Sequence, residues 1–272
     1  MVSIYPLFSS SSGNCFCIST DNENILIDIG VTYKSLCSGL KSINKEPSNI
    51  DAVLITHEHS DHIKGLPVFY KNNPNVKIYS TIKTIEYIKE LLLSKNIEFD
   101  DNNFFSLEYG QVINLCDNFK FKSFETSHDA VMPCGYDFEI ENKKVCFATD
   151  LGYISDEIFD MLSASNFSIL ESNYDKTMLE FGKYPFEIKR RIKGIQGHLS
   201  NDDTANTILD ITKNQDSSSN NFLLAHLSYN NNTIDIARDT IYSTLSSSGI
   251  DPLSVNINFA TKDMSNEVYV LW

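Results

Sequence analysis

Residues 51–56 read as a mostly apolar, strand-length run. It ends directly in Thr56-His57-Glu58-His59-Ser60-Asp61-His62. Three of the six histidines in the chain fall within these positions. In an extended segment residues two apart point the same way, so His57 and His59 can present their rings to one point. Asp61 and His62 follow where the chain turns into a short helical segment, and they face a neighbouring point. Imidazole and carboxylate are the ligand types of zinc, iron and manganese sites. Two such points a few Å apart make a two-metal site. A lone histidine in such a loop would be read as a solvated turn. This spacing, placed directly after a buried strand, instead states a metal-binding mechanism.

The remaining ligands follow from one rule: a His or Asp just past the end of an apolar strand. His128 follows the run 119–126, Asp150 follows 145–149 and His226 follows 222–225. Each alone is more often a structural residue. Together with the first cluster they complete two coordination shells.

The rest of the pattern says what fold must carry these loops. Strand-like runs occupy 2–8, 15–19 and 24–28, with Gly13-Asn14 marking a tight connection between the first two. Helical periodicity covers 33–43 and 83–94, with a strand at 76–80 between them. Strands follow at 111–115, 119–126, 134–140 and 145–149, then at 167–170, 222–225, 255–259 and 268–271. Helices are expected at 155–162, 185–193, 202–213 and 233–247. The polar tract 215–221 reads as a surface loop. The sum is an α/β chain, expected to form one domain over residues 1–272: two mixed sheets face to face with helices outside, an αββα sandwich. No apolar run is long enough to span a bilayer. The start, Met-Val-Ser-Ile-Tyr-Pro, lacks the basic and apolar regions of a secretion signal, and no two of the six cysteines form a CxxC pair. A cytoplasmic protein with reduced thiols and no membrane association is expected; its oligomeric state is open.

These motifs resemble the metallo-β-lactamase superfamily, whose pattern is HxHxDH, then a distant His, a distant Asp and a last His. More narrowly they resemble its WalJ/YycJ branch. The resemblance runs through Ser10-Ser11-Ser12-Gly13-Asn14-Cys15, residues 56–65, Ser127-His128-Asp129-Ala130 and Pro133-Cys134-Gly135-Tyr136. It continues through Thr149-Asp150-Leu151-Gly152-Tyr153, Leu170-Glu171-Ser172-Asn173 with Asp175, Gly197-His198-Leu199-Ser200-Asn201 and Leu224-Ala225-His226-Leu227-Ser228. The resemblance implies a metallo-β-lactamase fold and a DNA exonuclease acting from 5′ ends. It implies two divalent metal ions, manganese or zinc first and iron as a third option. His57, His59 and His128 would hold one ion, and Asp61, His62 and His226 the other, with Asp150 bridging. Asp28 would support the metal loop without binding metal. No cysteine falls at a ligand position, which matches the all-nitrogen-and-oxygen sites of hydrolases that cut phosphodiesters. Tyr174 departs from the pattern, standing where many relatives have His, so no role is carried onto it. The formal charge of -14 also departs from that of a typical DNA-binding protein.

Two cations sharing a bridging oxygen supply a hydroxide nucleophile near neutral pH and clamp the oxygens of a phosphodiester. Asp61 is placed to orient that hydroxide as well as to bind metal. His198 is the candidate for the leaving-group side, as proton donor or as phosphate ligand at the start of a helix that Asn201 or Asp202 would cap. An ordinary histidine closing a helix start is the plain alternative. Candidate substrate contacts are Ser11, Ser12 and Asn14 in the first turn, His198, Ser200 and Asn201, and the basic pair Arg190 and Arg191. For the run 189–193 a solvated helix face is the default and phosphate contact the rival, and a plain hairpin turn explains the 9–14 segment nearly as well. A thioester or lactone hydrolase of the glyoxalase II type is the rival reading, and a binding protein with structural metals is a more remote one.

Overall fold

The computed structural model describes residues 1–214 and 221–271. The chain divides into two compact units. The first unit holds β1 (Val2–Ser10), β2 (Gly13–Ser19), β3 (Asn24–Ile27), β4 (Ala52–Leu54), β5 (Lys77–Thr81) and β6 (Phe104–Leu107). The second sheet is built from β7 (Val112–Cys116), β8 (Phe119–Glu125), β9 (Cys134–Ile140), β10 (Lys143–Ala148), β11 (Phe167–Glu171), β12 (Asn221–Ala225) and β13 (Asn256–Phe259). A last strand, β14 (Tyr269–Leu271), returns to pair antiparallel with β1. Each sheet has seven strands, in the orders β14-β1-β2-β3-β4-β5-β6 and β13-β12-β11-β10-β9-β8-β7. Both are mixed, which is the α/β class expected.

In the first sheet β1, β2 and β3 form an antiparallel meander, after which β3, β4, β5 and β6 run parallel. The parallel half is joined by α1 (Tyr33–Ser42), α2 (Ser60–Ile63), α3 (Leu66–Asn72) and α4 (Ile82–Ser94). A parallel step needs such a crossover, because the chain must return to the starting edge before the next strand begins. Helix α1 starts where Thr32 accepts a bond from the Ser35 amide at 3.2 Å. Helix α4 turns Ile85, Ile88 and Leu92, spaced by three and four, onto a core that includes Val53, Ile55, Ile78 and Leu26. Each such side chain contributes about 1.5–3 kcal/mol when fully buried.

In the second sheet β10, β11, β12 and β13 are parallel. They are joined by α5 (Asp156–Ala164), α6 (Lys176–Phe181), α7 (Phe186–Ile192), α8 (Asn201–Asn214) and α9 (Ile234–Ser247). Met161, Leu162, Ile208, Ile211, Ile241 and Leu245 from α5, α8 and α9 cover Cys146, Ala148, Leu170 and Leu224 of the strands.

The expected strands and long helices match these elements to within a few residues. The short elements α3, β6 and α6 were not expected. The tract 215–221 lies, apart from Asn221, outside the described residues. Among the described residues no helix is long and apolar enough to cross a membrane.

Candidate active site

Parallel strands deliver their carboxyl ends to one edge of a sheet, and in each unit the chemistry-bearing residues sit on that edge. In the first unit Asp28 follows β3 and Thr56-His57 follow its neighbour β4. Asp28 is fully buried and accepts three bonds: from the Thr56 amide at 2.8 Å, the Thr56 hydroxyl at 2.9 Å and His62 Nδ1 at 2.7 Å. The Thr56 proton is committed to Asp28, so Thr56 Oγ1 accepts from His57 Nδ1 at 3.0 Å. Both imidazoles therefore carry their hydrogen on Nδ1 and keep the Nε2 lone pair for another partner. The rings of His57 and His62 lie 4.0 Å apart, and those of His57 and His59 4.6 Å apart, centroid to centroid. Burial lifts the Asp28 carboxyl above the usual carboxylate range, against the pull of His62 and Thr56.

Asn14 belongs to the same construction. Its Oδ1 accepts from the Ser10 amide at 3.1 Å, which fixes the amide so that Nδ2 reaches His62 Nε2 at 3.3 Å and the Asp61 carbonyl at 3.4 Å. It is 3% exposed, a support for the loop that carries Asp61 and His62. Ser11 and Ser12 form the exposed tip of the β1–β2 hairpin. Gly30 lets the backbones meet here: a Cβ on it would lie 1.6 Å from the Asp61 carbonyl oxygen.

In the second unit Asp150 follows β10, Glu171 ends β11 and His226 follows β12. The register pairs Ala148 with Leu170 and Glu171 with Ala225, so the three residues are neighbours across the edge. One donor atom from each of Asp150, Glu171, His198 and His226 falls within 4.8 Å of the others. Glu171 is fully buried and is the organising group. Its Oε1 accepts from His198 Nδ1 at 2.7 Å and His226 Nδ1 at 2.9 Å. Its Oε2 accepts from the amides of Leu151 at 2.9 Å and Leu199 at 3.2 Å. With Nδ1 tied to the carboxylate, His226 directs Nε2 toward Asp150 Oδ1 at 3.6 Å. His128 is set in the same way: Nδ1 donates to the Gly197 carbonyl at 3.0 Å, and Nε2 lies 3.7 Å from Asp150 Oδ1. Burial holds the His128 imidazole below its usual value against the opposing charge of Asp150, which favours the neutral form that a metal requires.

Asp28, Asp150 and His226 all adopt left-handed backbone, with φ of 61°, 60° and 56°. Outside glycine such values are uncommon, and they concentrate at functional sites. Here each one turns the chain sharply at the end of a parallel strand.

The substrate-contact candidates divide by exposure. Arg190 is exposed on α7, and Arg191 forks onto both oxygens of Asp129, the residue after His128. Ser200 and Asn201 are fully buried. Ser200 is the cap of α8, its hydroxyl accepting from the Asp203 amide at 3.2 Å while Asp203 answers to the Ser200 amide at 3.3 Å. The cap is thus one residue before the pair expected, and the first turn of α8 carries Asp202 and Asp203, whose charge opposes a phosphate there. Asn201 bonds inside the protein to Ser172 and Asn232.

Glu171, Thr56 and Asn173 were not among the expected site residues. Asn173 Nδ2 donates to the His226 carbonyl at 2.8 Å. For Glu171 the signal was present, since it directly follows the apolar run 167–170. The strand-end rule takes in only His and Asp, so it passes over a Glu in that position.

A divalent cation suits the donors of each unit: every candidate ligand offers nitrogen or oxygen, and the hydrogen bonds at Nδ1 direct Nε2 away from the supporting group on His57 in the first unit and on His128 and His226 in the second. Residues 23–216 match the beta-lactamase superfamily domain. The exodeoxyribonuclease YycJ of Bacillus anthracis is 35% identical over 243 residues, covering 89% of each chain. The exodeoxyribonuclease WalJ of Streptococcus pneumoniae is 33% identical over 259 residues, covering 95% of this chain and 93% of the relative. The crystal structure of the metallo-beta-lactamase fold protein YhfI from Bacillus subtilis superposes with a TM-score of 0.70 at 14% identity, covering 98% of both chains. That last likeness concerns the fold alone. By sequence and by fold, the chain belongs to the metallo-β-lactamase superfamily and, within it, to the family of the YycJ and WalJ exodeoxyribonucleases.

Proposed function

We propose that this protein is a metal-dependent DNA exonuclease acting from 5′ ends, and that residues 1–272 work as a single catalytic domain in the cytoplasm. The observation that carries the reading is the edge formed by Asp150, Glu171, His198 and His226, where a buried carboxylate holds two imidazoles by Nδ1. The names of the two relatives supply the substrate class. His57, His59, Asp61, His62, His128, Asp150 and His226 are the metal donors of this reading, for two divalent ions, manganese or zinc. When bound, such ions would neutralise phosphate charge and activate water.

The protein's own groups divide the remaining work. Asp28 and Thr56 set the ring orientation of His57 and His62. Glu171 and the Gly197 carbonyl do the same for His226 and His128. Asp61 orients the attacking water. His198 is held at Nδ1 by Glu171 and its side chain is part exposed. It therefore offers Nε2 to substrate, where it donates a hydrogen bond or a proton to the leaving oxygen. Arg190, Arg191 and the hairpin tip at Ser11 and Ser12 contact the phosphate backbone. Ser200, Asn201 and Asn14 act by positioning, because their polar atoms are committed inside the protein.

The test is metal analysis of the purified protein, paired with cleavage of 5′-phosphorylated and unphosphorylated duplex. Metal-dependent degradation that His59→Ala or Asp61→Ala abolishes is expected. Full metal loading with no cleavage of any DNA or RNA would refute the reading. Turnover of a glutathione thioester, with bis(p-nitrophenyl) phosphate left intact, would transfer it to the glyoxalase II type.

A further inference from the structure

Helix α7 buries none of its seven residues. Phe186 and Ile188 are 72% and 38% exposed, Ile195 just beyond the helix is 76% exposed, and Phe181 just before it is 86% exposed. Single exposed apolar side chains are ordinary. Four within fifteen positions, two of them phenylalanines that a core would readily take, mark a surface that receives something.

The same segment reverses the charge of the chain. Between Lys176 and Ile195 there are six cations and two carboxylates, in a protein of formal charge -14. Phe186, Lys189, Arg190 and Lys193 are spaced by three, four and seven, which puts an aromatic ring and three cations on one face. Glu180 fastens that face to the end of α6: Lys189 Nζ donates to the Glu180 carbonyl at 2.7 Å, and Lys193 pairs with the Glu180 carboxylate. Phe181 stands at this junction, beside a cavity of about 570 Å³ that Tyr174, Lys176 and Lys193 also line. Arg190 makes no ion pair with another described residue. The surface runs into the candidate catalytic loop, because the His198 amide donates to the Ile192 carbonyl at 3.0 Å and the Gly197 amide to the Gly194 carbonyl at 2.8 Å.

Cations alone would suit any polyanion. Exposed aromatic faces among them suit one that also presents flat apolar surfaces, and unpaired bases are such surfaces, whereas the bases of a duplex are stacked away. We infer that the α6–α7 surface binds unpaired nucleotides of the substrate strand next to His198, with bases stacking on Phe181 and Phe186 and the backbone following Lys183, Arg190 and Lys193. This inference rests on the nuclease reading and adds to it a preference for frayed or single-stranded ends. An anionic lipid surface is the competing partner. The direct hydrogen bonding of this segment to the His198 loop favours the nucleic acid.

The test is fluorescence anisotropy with the metal-loaded full chain and phosphorothioate-linked strands, which resist hydrolysis. A short thymidine strand is compared with an abasic strand of the same length and charge. The thymidine strand should bind about tenfold tighter, the size expected of one or two base–aromatic stacks. Phe181→Ala and Phe186→Ala should each cut that preference to about threefold and together abolish it, and Phe186→Trp should keep it. Arg190→Ala should weaken both strands alike and flatten their salt dependence. Equal affinity for the two strands, or a preference that survives both Ala substitutions, overturns the inference. So does binding to vesicles of phosphatidylcholine and phosphatidylglycerol that depends on the two phenylalanines without any base preference. A parallel assay on native duplex separates the two levels. Cleavage without base preference removes the stacking surface and leaves the nuclease reading standing, while absence of cleavage of any nucleic acid removes that reading itself.

Discussion

Replacing Glu171 with Gln keeps the side-chain shape and changes only the hydrogen-bond inventory, so its effect can be worked from the four donors around the carboxylate. Oε1 serves two imidazole Nδ1 groups and Oε2 serves two backbone amides. Gln has one oxygen and one NH2. Turned with its NH2 toward the two backbone amides, Gln loses two of the four bonds and leaves two buried donors facing a third. Turned the other way, it keeps the amides, and the imidazoles can answer only by moving their hydrogen to Nε2, which removes the lone pair a metal needs. In the first orientation each unsatisfied buried donor costs about 1–3 kcal/mol, for a loss of about 2–6 kcal/mol. That is a large share of the roughly 5–15 kcal/mol that holds a typical fold. In a chain of this size it corresponds to a fall of roughly 5–20 °C in Tm. His226 also loses the partner that fixes its tautomer, and metal affinity should drop about 10–100-fold. Thermal unfolding of the metal-free protein reads the first effect, and metal content after dialysis at limiting metal reads the second. The pH dependence supplies a further check. Burial alone would raise the Glu171 carboxyl, but the charge of His198 and the bonds from His198 and His226 hold it below the usual carboxylate range. With the folded value below the unfolded one, its stabilisation is present above the unfolded value and is lost as pH falls through the folded value. The gap between wild type and Glu171→Gln should therefore close in acid. A Tm within about 2 °C of wild type near neutral pH, with metal retained, would refute the assignment of Glu171 as the organising group, since Tm scales with the lost bonds.

Gly30→Ala would set a Cβ 1.6 Å from the Asp61 carbonyl oxygen and 2.7 Å from the Asn14 nitrogen, both backbone atoms that cannot swing away. A loss of about 3 kcal/mol or more in urea unfolding is expected, together with loss of cleavage. Gly110→Ala meets open space at a φ of 77° and should lose only about 1 kcal/mol; equal effects at the two sites would contradict the crowding argument. Among the thiols, burial pushes Cys15 and Cys146 well up and Cys17 to about 11, and Cys134 is buried as well. Only Cys37 and Cys116 should react quickly with a thiol reagent at mildly alkaline pH, with all six reacting after unfolding. A third fast thiol in the native protein would show that one of the two cores opens more readily than its packing implies.

Much of the fold was legible because long apolar runs and helix-period patterns announce themselves locally. The short helices α3 and α6 have too few turns to establish a period, and β6 offers only four residues, two of them exposed. The site was legible where one residue type carried the message, as at His57, His59 and His62. Ser200 and Asn201 misled for the converse reason. A polar pair in a small-residue loop reads as exposed, and only tertiary contacts with Asp203, Ser172 and Asn232 turn it inward.

The strand-end rule worked for a reason that the apolar pattern does not itself contain. Periodicity locates a strand without giving its direction, and a ligand just past a strand meets its fellows only if neighbouring strands run the same way. What supplies the direction is the alternation of strands with helices. β10, α5 and β11 in succession, and then β12, α9 and β13, force parallel pairing, because each helix carries the chain back to the starting edge. Asp150, Glu171 and His226 then share an edge by topology, and the left-handed turns at Asp150 and His226 let the chain leave the sheet immediately. The same logic applies to Asp28 and Thr56 after β3 and β4. Any ionisable residue at the carboxyl end of a strand that a helix follows meets the same condition, and Glu171, ending β11 before α6, is one. The group that orients His198 and His226 is hidden only from a search that looks for ligands and ignores what holds them.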